Sequence, residues 1–507
     1  MELTIEDMAV FCKKKGFVYQ NSEIYGGMAG FWDYGPLGSE MKKNLKDAWW
    51  KFHVQDREDV VGIDGSIITH PRVWKASGHI ASFEDIMLTC SKCRLKIRAD
   101  TFVEDKLSIA ADGMKADDIN NLVEKNKLVC PKCKSGFEKV SAFNLMFKTH
   151  VGPSESTKSE AYLRPETAQL MFTNFKLVAE NSRLKLPFGI AQMGKAFRNE
   201  ISPRDFLFRC REFEQMEIEY FIHPDKVDDC PYVKSVLNHK LLIYSAEMQD
   251  KKQKEKEMTI KDALDKKIIK TQWHAYWLVT EHKWFSSLGA DPKKFRIRQH
   301  IDTEKSHYAL DTWDLEYEFP FGWKELQGMA NRTDFDLNQH IKESGVDLSL
   351  FDEESKKKVI PYVVAEPSQG VDRAFLVFMF DAYNDDKKRG NVVLKLDSKL
   401  APIKVGVFPL INKLDKEAKK LFDELKTEFT CTYDRSGSVG RRYARADESG
   451  IPFTVTYDFD TKEKGTITIR DRDSTAQIRV KADGLKDILK NLLNGEIKFK
   501  DAGKLVK

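Results

Sequence analysis

A chain of 507 residues can form about three domains and bury several large cores. It carries 83 Lys and Arg against 79 Asp and Glu, a net charge of only +4. This balance excludes binding of nucleic acid through a global positive field, so any such contact must come from local basic patches. The sequence lacks a signal-peptide pattern at MELTIEDMAVFCKKKG and any apolar stretch of the roughly 18 residues that span a bilayer. We therefore expect an intracellular, cytoplasmic protein.

The first element with a clear apolar face is a helix over SEMKKNLKDAWWKFHV. Met41, Leu45, Trp49 and Phe52 share one side of this helix. Pro36 stands just before it, at a position where proline can begin a helix. We assign residues 1–83 to the first part of a core domain.

Two C-x-x-C pairs follow, Cys90 with Cys93 and Cys130 with Cys133. In a reducing compartment, pairs at this spacing favour one tetrahedral Zn²⁺ over disulfides. A redox pair and unrelated cysteines are the alternatives. Four thiolates leave no open coordination position, so the metal would stabilise the fold and take no part in chemistry. We interpret residues 84–160 as an inserted zinc-binding module.

Residues 161–224 contain the most informative stretch, GKAFRNEISPRDFLFRCREFEQMEIEYF, in which two extended runs flank a turn-rich loop carrying Arg204. Strand alternation places the following residues of the second run on one face: Arg209, Arg211, Phe213, Gln215, Glu217 and Glu219. The other face carries Cys210, Glu212, Glu214, Met216, Ile218 and Tyr220. Arginines, an aromatic ring and carboxylates on one face suit a nucleotide substrate, although a solvent-facing strand also explains the pattern. The sequence contains neither a Walker A loop nor a Rossmann glycine motif.

We interpret residues 225–300 as a charged helical insertion, because KKQKEKEMTIKDALDKK is typical of a solvated helix face. Residues 301–390 return to strands and end in GVDRAFLVFMFDAY, a helix apolar on nearly all sides and therefore buried. Gly370 permits a sharp entry into this helix and Arg373 lies in its first turn, where amides and a cation can bind phosphate together. Taken alone, an arginine on the surface of a helix start fits as well. Residues 395–507 alternate between strand and helix patterns, which predicts a mixed-sheet α/β domain.

Together, three of these segments resemble the motifs of class II aminoacyl-tRNA synthetases. Pro36 with its helix resembles motif 1, residues 197–213 resemble motif 2, and residues 370–373 resemble motif 3. YLRPETAQ, REFEQMEIEYF, ELQGMANRTD and EPSQGVDR are similar to the glycine-specific branch, and the resemblance covers essentially the whole chain. It implies an α+β fold: an antiparallel six-stranded catalytic sheet flanked by helices, a zinc-knuckle insertion, a helical insertion and a C-terminal mixed-sheet α/β anticodon-binding domain.

The resemblance also implies an activity and its residues. ATP with Mg²⁺ would activate glycine to glycyl-adenylate with release of pyrophosphate, and glycine would pass to the 3′-terminal adenosine of its tRNA. Arg198 and Arg373 would be catalytic, on the α- and γ-phosphates respectively. The implied ATP-binding positions are Arg198, Asn199, Glu200, Phe208, Arg209, Arg211, Glu212, Phe213, Glu325, Leu326, Gly370, Val371, Asp372 and Arg373. The implied glycine-binding positions are Arg98, Glu166, Phe213, Glu214, Gln215, Met216, Glu217, Glu366, Ser368 and Gly370.

Glycine has no side chain, so its pocket can hold only an ammonium and a carboxylate and must reject larger amino acids by steric clash. By resemblance, Ser368 lies where the methyl group of alanine would collide. We expect a homodimer joined through motif 1, with glycine, ATP and tRNA as partners and with neither DNA nor a membrane. In the C-terminal domain Arg441, Arg442, Tyr443 and Arg445 suit phosphates and unpaired bases, although a basic loop of a folded domain is the alternative.

Three other hypotheses remain open. A synthetase-like protein that no longer aminoacylates is expected to lack arginines of motif 2 or motif 3, whereas Arg198, Arg211 and Arg373 are all present. A zinc-ribbon RNA-binding protein explains the cysteines but not the carboxylate-rich strand face. A synthetase for another amino acid, such as alanine or serine, is the third.

Overall fold

The computed structural model describes residues 3–109, 111, 114–302, 304 and 309–506. The first part of the core contains α1 (Ile5–Lys15), β1 (Val18–Gln20), β2 (Trp32–Tyr34), α2 (Pro36–Trp50), β3 (Val60–Ile63), β4 (Ile68–Thr69), α3 (Pro71–Ala76) and α4 (His79–Ser82). α2 begins at Pro36 as predicted, because the N–H that proline lacks would have no partner in the first turn of a helix. Met41, Leu45 and Trp49 are buried, which confirms the predicted apolar face.

The inserted module has its own small core. Its elements are β5 (Glu84–Thr89), β6 (Lys96–Arg98), α5 (Ala99–Leu107), α6 (Ala116–Lys125) and β7 (Ser141–Asn144). β5 lies between β6 and β7, and Leu88 of β5 shares a hydrophobic cluster with Phe102 of α5 and Ile119 of α6. The next strands, β8 (Lys148–His150) and β9 (Glu160–Leu163), form a sheet with β4. Residues 148–160, which we assigned to the insertion, therefore return to the core.

Within the described residues, the core is built on a nine-stranded sheet. Its remaining elements are α7 (Ala168–Asn181), β10 (Phe188–Phe197), β11 (Glu212–Ile222), β12 (Lys240–Tyr244), α8 (Ala246–Asp250), β13 (Lys256–Thr259), α9 (Ile260–Asp265), α10 (Gln272–Ser287), β14 (Phe295–Gln299), β15 (Asp311–Phe319), β16 (Gly322–Asn331), α11 (Phe335–Ser344), β17 (Leu350–Asp352), β18 (Lys357–Val359), β19 (Tyr362–Gly370), α12 (Val371–Ala382), β20 (Tyr383–Asp386) and β21 (Asn391–Leu394). The strand order is β13-β12-β14-β15-β16-β19-β11-β10-β3. The six neighbours from β14 to β10 pair antiparallel, as expected for the catalytic sheet. β12 and β3 add parallel pairs at its two sides.

The prediction of a charged helical insertion over residues 225–300 is wrong in part. This segment supplies β12, β13 and β14 to the main sheet, and its lysine-rich run forms a turn and β13 before α9 begins. α10 is helical but buried, with Trp273, Trp277 and Trp284 at most 1% exposed. Short strands near a sheet edge take their conformation from pairing with neighbours, and lysines are tolerated there because the edge faces water. The charge pattern of residues 225–300 therefore predicted helix at positions where pairing with neighbouring strands gives β-strands.

α12 runs from the end of β19 straight into the core. Phe375, Val377 and Met379 are fully buried, as its apolar sides predicted. Gly370 ends β19 and caps α12, so Arg373 lies in the first turn at the edge of the sheet. Among the described residues, no helix combines the length and apolar character needed to cross a membrane.

The C-terminal part has a separate hydrophobic core. Its elements are β22 (Val405–Pro409), α13 (Asp415–Leu425), β23 (Cys431–Tyr433), α14 (Val439–Glu448), β24 (Phe453–Tyr457), α15 (Phe459–Lys464), β25 (Thr466–Asp471), β26 (Gln477–Lys481), α16 (Leu485–Leu493) and β27 (Lys504–Leu505). The strand order is β23-β22-β24-β25-β26-β27, with parallel pairs on both sides of β22 and antiparallel pairs beyond β24. The predicted mixed-sheet α/β domain is confirmed.

Packing of α2 against the core predicts a large difference between two leucines. Leu45 of α2 is fully buried, whereas Leu177 of α7 is 60% exposed. Leu45→Ala should lower the free energy of unfolding by about 2–5 kcal/mol because it leaves a cavity, and Leu177→Ala by less than about 0.5 kcal/mol. All 9 tryptophans lie before residue 324, so urea unfolding followed by tryptophan fluorescence reports on this core. Equal losses for the two variants would contradict the described packing.

Candidate active site and cysteine cluster

The segments that resemble motifs 2 and 3 meet in one cleft. Of the predicted ATP-binding residues, those lining it are Arg198, Glu200, Phe208, Arg209, Phe213, Glu325, Leu326, Gly370, Asp372 and Arg373. Of the predicted glycine-binding residues, those lining it are Phe213, Gln215, Ser368 and Gly370. The sequence analysis did not select four further lining residues, Leu207, Cys210, Gly328 and Gln369. β11 and β19 pair so that Gln215 lies opposite Gly370 and Glu217 opposite Ser368, which brings the two motifs face to face.

Arg198 is held at the cleft by aromatic stacking. Its guanidinium carbon lies 5.4 Å from the ring centroid of Phe83 and 5.3 Å from that of Phe213. Its Nε donates to the carbonyl oxygen of Pro165 over 3.1 Å. These contacts fix the plane of the guanidinium, an arrangement suited to gripping a phosphate or a carboxylate with two N–H groups.

Arg373 is held in a similar way on the other side of the cleft. Its guanidinium lies 4.5 Å from the ring centroid of Phe208. One terminal nitrogen donates to the main-chain oxygen of Glu325 over 2.9 Å and lies 3.3 Å from its carboxylate. Two stacked arginines therefore face the same space from motif 2 and motif 3.

Glu200 and Arg209 form an ion pair beside the cleft, with Nε and the carboxylate 2.9 Å apart. Arg211 points elsewhere: it donates to the main-chain oxygens of Glu200 and of Ala29, each over 3.0 Å. Arg211 is therefore not brought into the cleft and instead attaches the loop before β2 to motif 2. A side chain at Gly30 of that loop would come within 2.7 Å of Pro203.

Three other predicted ATP-binding residues lie outside the cleft. Asn199 donates its main-chain N–H to Leu145, Glu212 pairs with Lys195 over 2.7 Å, and Val371 is fully buried. Strand alternation explains the position of Glu212, since it occupies the face of β11 opposite to Phe213.

Six of the ten predicted glycine-binding residues are not among those that line the cleft, namely Arg98, Glu166, Glu214, Met216, Glu217 and Glu366. Arg98 lies in the inserted module, where it pairs with Asp85 and Asp100 and borders a second hollow shared with Arg209. Glu214 and Met216 occupy the opposite face of β11, as the alternation predicted, and Met216 is buried in the hydrophobic core.

Lys42 of α2 joins all three motif segments. Its buried Nζ lies 3.1 Å from the carboxylates of both Glu214 and Asp372. Asp372 also accepts hydrogen bonds from the hydroxyl of Tyr34 and, over 2.9 Å, from the main-chain N–H of Glu214. Burial opposes ionisation of Asp372, but Lys42 and Tyr34 outweigh it and lower its pKa. The sequence analysis missed Lys42 because a lysine in an amphipathic helix is expected to face water.

A cluster of acidic side chains lies next to Ser368, a residue of the cleft wall that is opposite Glu217 in the sheet. Glu217, Glu219 and Glu366 are buried, with carboxylate oxygens within 4.8 Å of one another. The buried Arg332 donates to Glu366 over 2.7 Å and makes two bonds to Asp336. Burial raises the pKa of Glu366 to about 8. Arg332 lowers this pKa, whereas repulsion from the other carboxylates raises it further. The ELQGMANRTD segment contains Arg332, but the site prediction did not include it.

Glu166 stands at the outer side of this cluster. Its carboxylate lies 3.3 Å from Nε2 of His79 and accepts a hydrogen bond from Gln169 over 3.1 Å. Burial opposes its ionisation, but His79, Arg332 and Arg198 lower the pKa of Glu166 below its usual range. An ionised carboxylate here suits a ligand ammonium.

Ser368 and Gln215 lie at the wall of the cleft, and Ser368 is opposite Glu217 of the acidic cluster. The amide of Gln215 donates to the hydroxyl of Ser368 over 3.2 Å. Both residues also line the cleft. This hydrogen bond fixes the two side chains relative to each other at the wall of the cleft.

A second acidic group lies where β15 and β16 border the cleft. The carboxylate of Asp314 is 2.7 Å from Nε2 of His300, and it lies close to Glu325. Burial raises the pKa of Asp314 to about 6. The hydrogen bond to His300 lowers this pKa, and the charge of Glu325 raises it. Carboxylate oxygens are the ligands that Mg²⁺ prefers, so Glu325 and Asp314 fit a magnesium ion at this end. Glu325 was among the predicted ATP-binding residues, whereas Asp314, which lies opposite Gly328 in the sheet, was not.

The four predicted metal ligands come together in the inserted module. The Sγ atoms of Cys90 and Cys133 are 3.4 Å apart, and those of Cys93 and Cys130 are 3.6 Å apart. All four lie within 4.8 Å of one another. In a tetrahedral Zn²⁺ site, bonds of about 2.3 Å place the sulfurs about 3.8 Å apart. The cluster therefore has the size of a four-thiolate metal site.

Most of the basic side chains proposed for RNA contact in the C-terminal domain are engaged within the protein. Arg442 is buried and donates to the main-chain oxygens of Pro409 and Gly437. Arg445 pairs with Asp434, and Tyr443 bonds Thr456 over 2.6 Å. Arg441 is exposed. For Arg442 the structure agrees with the alternative of a basic loop in a folded domain, because its guanidinium bonds to main-chain oxygens.

Comparison with known proteins agrees with this architecture. Residues 147–379 match the family described as "tRNA synthetase class II core domain (G, H, P, S and T)", and residues 404–492 match "Anticodon binding domain". The chain is 44% identical over 501 residues to the glycine–tRNA ligase of Caldanaerobacter subterraneus subsp. tengcongensis, covering 97% of this chain and 99% of that protein. This chain belongs to the glycine–tRNA ligase family.

Other members of the family match over a similar extent. The glycine–tRNA ligase of Geobacillus thermodenitrificans is 42% identical over 498 residues, covering 96% of this chain and 97% of that protein. That of Clostridium perfringens is 41% identical over 507 residues, covering 97% and 99%. The expected class II core and anticodon-binding domain of the glycine–tRNA ligase family are thereby confirmed.

The Lys42 network predicts unequal effects of two adjacent substitutions. Lys42→Met leaves the buried Asp372 without its cation and Glu214 with Lys46 alone, and it should lower the free energy of unfolding by about 3–5 kcal/mol. Lys43→Met removes only an exposed pair with Asp47 and should cost less than about 0.5 kcal/mol. Urea unfolding of both variants measures the difference. Matching unfolding midpoints would show that Lys42 does not hold the motifs together.

Proposed function

We propose that this chain is a glycine–tRNA ligase that activates glycine with ATP and transfers it to the 3′-terminal adenosine of its tRNA. One observation carries the proposal: two stacked arginines line an open cleft, and Ser368 at the wall of that cleft lies opposite Glu217 of a buried acidic cluster. The arginines suit a triphosphate, and the acidic cluster suits a small ligand with an ammonium group. The names of the similar proteins support the same activity.

In the first step, an oxygen of the glycine carboxylate bonds to the α-phosphorus while the bond to the β-phosphate oxygen breaks and pyrophosphate leaves. Such a transfer needs positioning and neutralisation of charge more than it needs a base. Arg198 is proposed to bind the α-phosphate and the glycine carboxylate, with Arg373 on the γ-phosphate and adenine stacking on Phe213. Magnesium held by Glu325 and Asp314 would neutralise phosphate charge when bound.

Selection of glycine is proposed to rest on shape and charge together. Glu166, Glu217 and Glu366 would surround the ammonium, and Ser368 would leave no room for a methyl group. A hydrogen bond joins Gln215 to Ser368, and Thr167 donates to Glu217. Widening the proposed glycine site would therefore cost the free energy of these hydrogen bonds. A rigid pocket rejects a larger substrate by clash, as discrimination against alanine requires.

In the second step, a hydroxyl of the terminal adenosine attacks the glycyl carbonyl and AMP leaves. The C-terminal domain is proposed to bind the anticodon of the tRNA.

A homodimer through α2 is proposed because a groove beside Trp50 and Lys51 carries Ile67 and Ile68, which are 38% and 50% exposed. Sedimentation at micromolar concentration would decide between dimer and monomer. We propose a cytoplasmic location for the protein because it would act on tRNA.

Removal of one phosphate-binding arginine tests the activation step. Arg198→Ala should lower glycine-dependent ATP–pyrophosphate exchange by about 100-fold or more, because it removes charge from the transition state. Arg441→Ala, an equal change in the C-terminal domain, should leave exchange unchanged. Alanine and serine should support no exchange with the parent protein. Full exchange by the Arg198 variant would rule out the proposed role.

The cysteine cluster is proposed to hold one structural Zn²⁺. Hydrogen bonds from Ser135 lower the pKa of Cys133 to about 6, which favours the thiolate that binds metal. Cys133→Ser should release zinc and lower the thermal midpoint, because metal binding contributes directly to folding of such modules.

Cys431→Ser, at a half-buried cysteine outside the cluster, serves as the control and should retain the metal. Elemental analysis by mass spectrometry gives the metal content of both variants. A parent protein that contains no zinc after purification without chelators would contradict the assignment.

A further inference from the structure

Glu219 is a buried carboxyl group for which the proposed reaction has no role. It lies on β11 two residues beyond Glu217, and none of its surface is exposed. Within the described residues, neither of its carboxylate oxygens has a hydrogen-bond partner. A charged carboxylate without a hydrogen bond is strongly disfavoured in a buried site, whereas a protonated one is far less so.

The groups around Glu219 also disfavour its ionised form. Its oxygens lie within 4.8 Å of those of Glu217, on its own strand, and Glu366, across on β19. The end of β16 contributes Arg332, whose guanidinium already bonds Glu366 and Asp336 of α11. One buried guanidinium thus serves several carboxyl groups.

Two more groups face the cluster from the rim. Glu166 stands before α7 and contributes another negative charge to Glu217 and Glu366. His79 of α4 pairs with Glu166 over 3.3 Å. Neither rim group brings a cation to Glu219 itself.

Several carboxylates this close cannot all be ionised around one arginine. Burial and the charge of Glu366 raise the pKa of Glu219 well above its usual range, and burial raises that of Glu366 to about 8. The close carboxyl groups and both shifts favour retention of a proton by Glu219 and Glu366.

We propose that Glu219 is a positioning residue of the amine pocket that shares a proton with Glu366 in the free protein, and that an arriving ammonium beside Glu217 and Glu366 expels this proton. The inference rests on the proposed function. In the exchange, one carboxyl O–H bond breaks and the proton passes to solvent, while the ligand contributes one positive charge. The net charge of the pocket is unchanged. Glu219 acts through Glu366 and does not contact the ligand.

Binding is then linked to pH with a definite sign. A proton competes with the ammonium, so the affinity for the ligand falls as pH falls, by up to tenfold per unit. The ligand-free protein shows the opposite trend. The stability contributed by the raised pKa of Glu366 is present at acidic pH and lost as pH rises through about 8. Stabilisation by the ligand should therefore grow between pH 6 and pH 7.5, below the range in which an α-amine itself titrates, at about 8.

Calorimetric titration of the full chain tests the proton exchange directly. The probe is a glycyl-sulfamoyl analogue of glycyl-adenylate, which cannot react, and the control ligand is the acetyl-sulfamoyl analogue, which lacks only the amine. Titrations at pH 7 in phosphate and in Tris, buffers of different ionisation enthalpy, count the protons released. The glycyl analogue should release roughly one proton per chain and the acetyl analogue none.

Two variants separate a role for Glu219 from a general effect. Glu219→Gln should reduce the proton release by more than half and flatten the pH dependence of affinity. Glu318→Gln, at an exposed position of β15 in the same sheet, should change neither. If Glu219→Gln does not fold, the titration of the parent protein still decides.

The possible outcomes are distinguishable. Tight binding of the glycyl analogue with the same heat in both buffers would overturn the proton exchange and leave the proposed function standing. Binding of neither analogue by folded protein would instead overturn the proposed function, and this inference with it.

Discussion

The arrangement of the site depends on one constraint, which is that Arg332 is the buried cation at the centre of a cluster of buried carboxyl groups. Its bonds to Glu366 and Asp336 tie β19 to α11. Glu217 and Glu219 enter the same cluster from β11. A buried ion cluster stabilises a fold only when its geometry is well satisfied, so these strands have little freedom to shift.

A second buried cation plays the corresponding role behind the nucleotide end of the cleft. Lys42 holds Glu214 of β11 and Asp372 of α12, and thereby fixes the helix whose first turn carries Arg373. Both clusters involve β11, one on each face of the strand. The alternation of its side chains thus connects the surface that would meet the substrates with the packing that orients it. Glu214 and Asp372 serve the site through position, since Lys42 pairs with both carboxylates and Lys46 pairs with Glu214 as well.

Much of this organisation could be predicted from the sequence. The start of α2 at Pro36, the faces of β11, the entry into α12 at Gly370 and the four-cysteine cluster all follow from local patterns. The strands of residues 225–300 could not be predicted, because their conformation comes from pairing with distant parts of the chain. The roles of Arg332, Asp314 and Lys42 could not be predicted for the same reason. Sequence spacing shows which face a charged residue occupies but not which distant group lies opposite it.

The central claim is that this chain attaches glycine, and glycine alone, to tRNA. The most direct test incubates the purified chain with ATP, a tRNA for glycine and either radiolabelled glycine or radiolabelled alanine, and measures the label precipitated with the tRNA by acid. The account predicts label from glycine only, lost after mild alkaline hydrolysis of the ester. Absence of label with folded, zinc-containing protein, or equal label from alanine, would contradict it.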